Sequence, residues 1–276
     1  MLEFLSNIVC SKGSRSRAEA ISPMTGFARK AAVIAISVGI VAAGLWHFQL
    51  RWVLQDPATI RPDPDVERVI SGLLEASRTA AYAERRAIFY QIRAMGRASL
   101  PMLVHALRND SPKVRSLAAG LLQNSSNIHV TRHLESSLDD ASPAVVRTAL
   151  FSLAQLDAVE AIPSIIVTLN EGDKFTRCQA ALVLGMLDDE SAVQPLIACL
   201  EDDPYPLARK VAADSLGEIG NRDAVHPLIE SLDDKSFRVR MSSHSALNRI
   251  TKAGLGNQKD LWMRWCRKEH HSPVPE

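Results

Sequence analysis

Few residues in this sequence have types and spacings suited to chemistry. His129 and His133 stand four apart, which puts two imidazoles on one helix face, as a metal site requires. No third ligand stands at a suitable distance and HExxH is absent, so the pair reads as part of a solvated helix face. His270-His271 lie in a terminal tail. The four cysteines, Cys10, Cys178, Cys199 and Cys266, include no CxxC pair. They suit neither a zinc site nor a disulfide framework. Cys178 and Cys199 would be level across a helical hairpin turning near residue 189. The outward direction expected for Cys178 favours two free thiols over a bond. There is no GxSxG, no P-loop and no GxGxxG. These residues identify no catalytic, cofactor-binding or metal-binding site, and the chain reads as a non-enzyme.

The most regular polar feature is an arginine series: Arg85, Arg115, Arg147, Arg177, Arg209 and Arg240, at spacings of 30, 32, 30, 32 and 31. An acidic residue precedes most members, namely Asp110, Asp140, Asp173 and Asp234. Members Arg115, Arg147, Arg177, Arg209 and Arg240 read as a structural Asp–Arg ladder tying inter-helix turns together. Recognition of an anionic ligand is the other use of such a series.

The elements that position this series are helices. The stretch 176–203 aligns with 208–234 at a constant offset of 32, pairing Ala180 with Ala212, Ala181 with Ala213, Leu184 with Leu216 and Gly185 with Gly217. The same frame recurs in VRSLAAGLL (114–122), VRTALFSLA (146–154), VRMSSHSAL (239–247) and, more weakly, RRAIFYQIRAMG (85–96). A period near 31 over six copies marks a solenoid. Each copy reads as two helices joined by an Asp-rich turn. The second helix starts near the arginine and buries positions +3, +4 and +7.

The VR-x-x-A-A frame, the following LG or IG, the AV-x-PLI segment and its trailing DD resemble HEAT repeats, in particular the short HEAT-like repeats of the phycobilin lyase type. The resemblance covers about residues 66–250 and implies an all-α, right-handed α-solenoid of about six helix pairs. The closing stretch 247–268 resembles the end of some bacterial HEAT-like proteins, with Trp262 and Trp265 on one face of a capping helix. The resemblance also raises a lyase-like or chaperone-like subunit acting on a cofactor-bearing protein as the alternative function. The His-Glu pairs of iron-binding HEAT hydroxylases are absent.

Before the repeats the chain changes character. Residues 1–30 read as a tail. Residues 31–49 are almost wholly apolar, about the minimum for a spanning helix, and Trp46 lies near the end. The segment reads as an uncleaved signal anchor. A signal peptide cleaved after Val41-Ala42-Ala43 and a buried core helix are the alternatives. Lys12, Arg15, Arg17, Arg29 and Lys30 precede it, against Arg51, Arg61 and Arg68 after it. That bias predicts a single-pass membrane protein with an extracytoplasmic repeat domain, periplasmic in a Gram-negative bacterium. Residues 50–65, with Pro57, Pro62 and Pro64, read as an extended linker, and 66–276 as the repeat domain.

The chain carries 32 basic and 31 acidic residues, which argues against a nucleic-acid partner. What remains is a concave face built from the second helices. Counting +1 and +5 from each arginine predicts Arg86, Tyr90, Ser116, Gly120, Thr148, Ser152, Cys178, Leu182, Lys210, Asp214, Met241 and Ser245 on it. The expected function is a membrane-anchored scaffold binding a protein or peptide in a cell-envelope complex.

Overall fold

Proline at the first helical position recurs through the repeats because its fixed φ suits a helix start and its missing N–H is not needed there. In the computed structural model, which describes residues 54–269, Pro64, Pro112, Pro143 and Pro206 each open a helix. Among the described residues there are thirteen α-helices and no strand. They are α1 (Pro64–Thr79), α2 (Tyr82–Ala94), α3 (Leu100–Ala106), α4 (Pro112–Leu122), α5 (Val130–Glu135), α6 (Pro143–Gln155), α7 (Ile162–Glu171), α8 (Lys174–Leu187), α9 (Val193–Asp202), α10 (Pro206–Ile219), α11 (Val225–Glu230), α12 (Phe237–Thr251) and α13 (Lys259–Glu269). The first twelve form six consecutive pairs. The second helices, from α2 to α12, pack side by side, each against the next. This is an all-helical, solenoid-like repeat fold.

The buried stripe follows the expected period. Ala118, Ala119 and Leu122 of α4, Ala180, Ala181 and Leu184 of α8, and Ala212, Ala213 and Leu216 of α10 are fully enclosed. In α6 the register differs by one residue. Ala149, Leu150 and Leu153 are the buried set, whereas Phe151 is exposed. The position equivalent to Arg115 is therefore Val146, not Arg147. One extra residue between the turn and the arginine rotates Arg147 by about 100° around the helix. With Val146 in the frame, the interval from 115 to 177 divides evenly.

The recurring glycine marks the closest helix approach. A Cβ on Gly185 would stand 2.5 Å from Ser215 Oγ and 2.9 Å from Ser215 Cα. One on Gly217 would stand 2.8 Å from both Ala246 Cα and Ala246 Cβ. At the Gly185 crossing Ser215 Oγ donates to Ala181 O at 2.8 Å, and at the α4–α6 crossing Ser152 Oγ donates likewise to Ala119 O at 2.9 Å. These serines are buried but paired, so they carry no unmet desolvation cost.

At the C-terminal end α13 lies against the last pair. Trp262 is fully buried, donates Nε1–H to Gly256 O at 2.8 Å, and meets Trp265 edge-to-face at 6.1 Å. Lys259 bridges to Glu230 and Asp233. At the other end the prolines do not keep the expected linker extended throughout. Pro57–Thr59 forms a short 3-10 helix against α3, and residues 54–56 are held by the loop before α5 and by α5 itself. Asn127 Nδ2 donates to Gln55 O at 2.8 Å, His129 Nε2 contacts Leu54 O at 2.8 Å, and His133 Nε2 contacts Asp56 Oδ1 at 2.8 Å.

The expected localisation is corrected. No helix among the described residues is long and apolar enough to cross a membrane, since the repeat helices are short and amphipathic. The tail 1–30 and the segment 31–49, on which the single-pass and extracytoplasmic assignment rested, lie outside the described residues.

Candidate protein-binding face

The turns that set the second helices also form the ladder. Asp140, Asp203 and Asp234 each accept the amide two residues on, from Ser142, Tyr205 and Ser236, at 2.8, 2.8 and 2.7 Å. These Asx turns aim the remaining lone pairs back along the stack. Each carboxylate then takes a bidentate bond from the arginine of the preceding repeat. Arg115 donates to Asp140 at 2.6 and 2.7 Å, Arg177 to Asp203 at 2.6 and 2.9 Å, and Arg209 to Asp234 at 2.8 and 3.0 Å. The third guanidinium nitrogen donates to a carbonyl of the arginine's own turn, as from Arg209 to Asp203 O at 2.7 Å. The sequence pairing of each arginine with its preceding acid is therefore corrected: the carboxylate comes from the following repeat. Rungs thus join neighbouring repeats.

Burial would raise the carboxyl groups of Asp140, Asp203 and Asp234. The arginine hydrogen bonds and turn amides outweigh it and hold all three below the ordinary aspartate value. The rung at Arg147 is weaker. Displaced by the extra residue, it reaches Asp173 only at 3.5 Å and stays about a third exposed. Arg240 ends the series, donating to Asp234 O and lying 5.6 Å over the Phe237 ring. In the second repeat, between α3 and α4, the turn carries Asn109, an amide, where the later turns carry aspartate. Among the described residues Arg85 is in no ion pair.

Two open grooves lie on the second-helix face. The first, of about 390 Å³, is lined by Tyr82, Arg85, Arg86, Phe89, Tyr90, Lys113, Ser116, Leu117, Gly120 and Thr148 from α2, α4 and α6. It gathers five of the expected face residues: Arg86, Tyr90, Ser116, Gly120 and Thr148. Gly120 leaves it open, because a Cβ there would only just touch Thr148 and Phe89. The second, of about 690 Å³, has Leu182, Gly185 and Met186 on one side and Asp188, Asp214, Ser215, Glu218 and Arg249 around them. Asp214 pairs with Lys210, and Glu218 with Arg249.

Ser152 is not on this face. It is fully buried and bonded to α4, because the one-residue shift puts Phe151 outward in its place. Cys178 is also mostly buried, its thiol donating to Lys174 O at 3.1 Å. Cys178 and Cys199 are free thiols. The exposed apolar row runs through Tyr90 and Leu182, which the sequence counting included, and Phe151 and Met186, which it missed, each 44–52% exposed. Counting buried residues from Val146 instead of Arg147 would have found Phe151.

A second missed signal is the distribution of charge. Residues 66–116 hold nine Lys and Arg against four Asp and Glu, residues 130–234 seven against nineteen, and residues 235–268 nine against one. The near-zero total conceals a stack that alternates in sign. Among the described residues no group of three or more His, Cys, Asp and Glu could hold a metal ion. His129 and His133 hold residues 54–56 instead.

Fold and face together define a helical-repeat protein with an open, groove-bearing layer of second helices. The family model for HEAT repeats matches residues 131–216 and 200–261, so that stretch of the chain is built of HEAT repeats. No curated protein matches the chain by sequence. Similar solved structures include the CpcE–CpcF complex of phycocyanin lyase from Nostoc sp. PCC7120, at 22% identity over 60% of this chain and 68% of that one, with a TM-score of 0.49. A designed armadillo repeat protein in complex with the peptide (KR)4 matches at 17% identity over 66% of this chain and 99% of that one, with a TM-score of 0.46. Human deoxyhypusine hydroxylase matches at 16% identity over 68% and 98%, with a TM-score of 0.33. At these scores none of the three bears on function.

Proposed function

We propose that the chain is a binding scaffold that holds an extended segment of a partner protein across its second helices, read as a right-handed stack. The observation that carries this is the row Tyr90, Phe151 and Leu182. Each sits five residues after the ladder position of its own repeat, and each is close to half exposed. Scattered apolar side chains on a surface need no explanation, but the same position filled this way in the first, third and fourth repeats matches a linear ligand. Packed helices lie about 8–10 Å apart. An extended strand rises about 3.3 Å per residue, so it would pass one repeat roughly every three residues. Gly120 interrupts the row and opens a groove for a larger side chain.

The test places a photo-crosslinking phenylalanine analogue at Phe151, at Leu182 and, as control, at exposed Glu201 on the first-helix α9. Expected is one adduct of the same mass from the first two positions, lost when Gly120→Trp fills the groove, and none from the third. Equal labelling from all three positions removes the reading.

A further inference from the structure

The groove between α2, α4 and α6 has a chemistry of its own. Three cationic side chains line it, Arg85, Arg86 and Lys113, and no acidic one does. Arg85 occupies the ladder position of the first repeat, but the turn that would supply its carboxylate carries Asn109. Among the described residues Arg85 and Arg86 are in no ion pair. Arg86 instead lies 5.8 Å over the ring of Tyr90. Lys113 donates to Arg78 O at 3.1 Å, which leaves two of its ammonium hydrogens for a ligand. The nearest acid of the helix start, Glu84, turns back to the Ala81 amide at 2.9 Å. Around these cations stand Tyr82, 76% exposed, and Tyr90, over a floor of Phe89, Leu117 and the bare Gly120.

The second groove has the opposite sign, with Asp188, Asp214 and Glu218 on its rim. Its two cations, Lys210 nearby and Arg249, are both already paired with those carboxylates. A ligand of one sign therefore prefers one groove by attraction and avoids the other by repulsion.

From this we infer that the groove of α2, α4 and α6 takes an acidic peptide segment, with carboxylates on Arg85, Arg86 and Lys113 and one bulky apolar side chain over Leu117 and Gly120. This assignment rests on the scaffold reading and specifies its partner at one site. Guanidinium and ammonium groups beside an apolar floor give a carboxylate charge-assisted bonds at a partly dehydrated surface. Tyrosine supplies contact area at little entropic cost. The segment lies N-terminal groove first, and its acidic part stops before α8, where the face turns acidic.

The experiment uses the full chain and a fluorescein-labelled peptide with a central leucine–phenylalanine pair flanked by glutamates. The matched control carries lysines in place of the glutamates. Fluorescence anisotropy of the acidic probe should rise saturably and weaken as salt is added, because the Debye length falls to about 10 Å at 0.1 M. The double variant Arg86→Glu, Lys113→Glu should weaken binding at least about tenfold, since two rim attractions become repulsions. Both side chains face solvent, so far-UV circular dichroism should be unchanged, and Gly120→Trp provides an independent block. Tighter binding of the lysine peptide, blocked by Gly120→Trp, overturns the acidic assignment and leaves the scaffold reading standing. An acidic probe that binds equally well to the double variant also overturns it. If neither peptide binds, this inference fails, and crosslinking at Phe151 decides the scaffold reading separately.

Discussion

Arg177 and Arg147 carry the same side chain in the same series, yet one is built into the stack and the other lies on it. Arg177 makes two short bonds to Asp203 and one at 3.0 Å to Gly172 O. Arg147 makes one long contact at the edge of solvent. Removing one partner of an enclosed pair leaves the other charge unpaired. Arg177→Ala should therefore lower unfolding free energy by about 2–4 kcal/mol in urea melts, and Arg147→Ala by under about 1 kcal/mol. Equal losses would show that the short bonds are not what holds the repeats together. The depressed carboxyls of Asp140, Asp203 and Asp234 make the ladder acid-sensitive. Their folded-state pKa values lie below the unfolded value of about 3.9. The stability they contribute is thus complete above that value and falls away as pH drops through the folded values. Melts of the wild type should be flat from about pH 5 to 8 and decline steeply below about pH 4. Asp203→Asn should flatten that decline. The same rung shields a thiol. Burial pushes Cys199 up to about 12, with the nearby Asp203 carboxylate adding to it. At pH 8 iodoacetamide should leave Cys199 unmodified until the protein is unfolded, and rapid native labelling at that site would contradict its burial.

At the scale of helices, two kinds of glycine give opposite expectations. Gly185 and Gly217 sit where neighbouring second helices touch, and a methyl group there would overlap Ser215 or Ala246. Gly185→Ala and Gly217→Ala should each destabilise by about 1–3 kcal/mol through overpacking. Gly72 lies in α1 with nothing within 4 Å of a built Cβ. Gly72→Ala should stabilise by about 0.5–1 kcal/mol, because alanine orders a helix at lower entropic cost. A set of melts in which all three glycines behave alike would refute the close approach. The repeated Leu-Gly and Ile-Gly pairs stood out in the sequence as a family signature. For Leu184-Gly185 and Leu216-Gly217 the reason is Ser215, which donates its hydroxyl to a carbonyl of α8, or Ala246, pressed from the next repeat against the glycine, and it depends on which helix becomes the neighbour; Gly220 of the Ile-Gly pair instead ends α10 at a φ of 73°.

Across the whole molecule, each repeat touches only its neighbours and the last must be covered. Trp262 provides that cover. Trp262→Ala should cost about 3–5 kcal/mol locally. Hydrogen exchange should show α11 and α12 losing protection first, while α6 to α8 keep theirs. A uniform loss along the stack would indicate a single cooperative core. The period, the paired helices, the small-residue seam and the covering tryptophans were all legible in one dimension, because a helix writes its buried face into residues three and four apart. Other features were not. The true frame of α6 depends on which of two adjacent residues, Val146 or Arg147, turns inward, and only packing against α4 and α8 resolves that. The ladder joins each arginine to the following repeat because the Asx turn points its carboxylate backward, a direction that linear order does not record. The histidine pair was visible as a pair, but its role in holding Leu54 and Asp56 comes from contacts 75 and 77 positions apart. The sign of each groove, likewise, is set by which charges the stack leaves over after the ladder has taken its share.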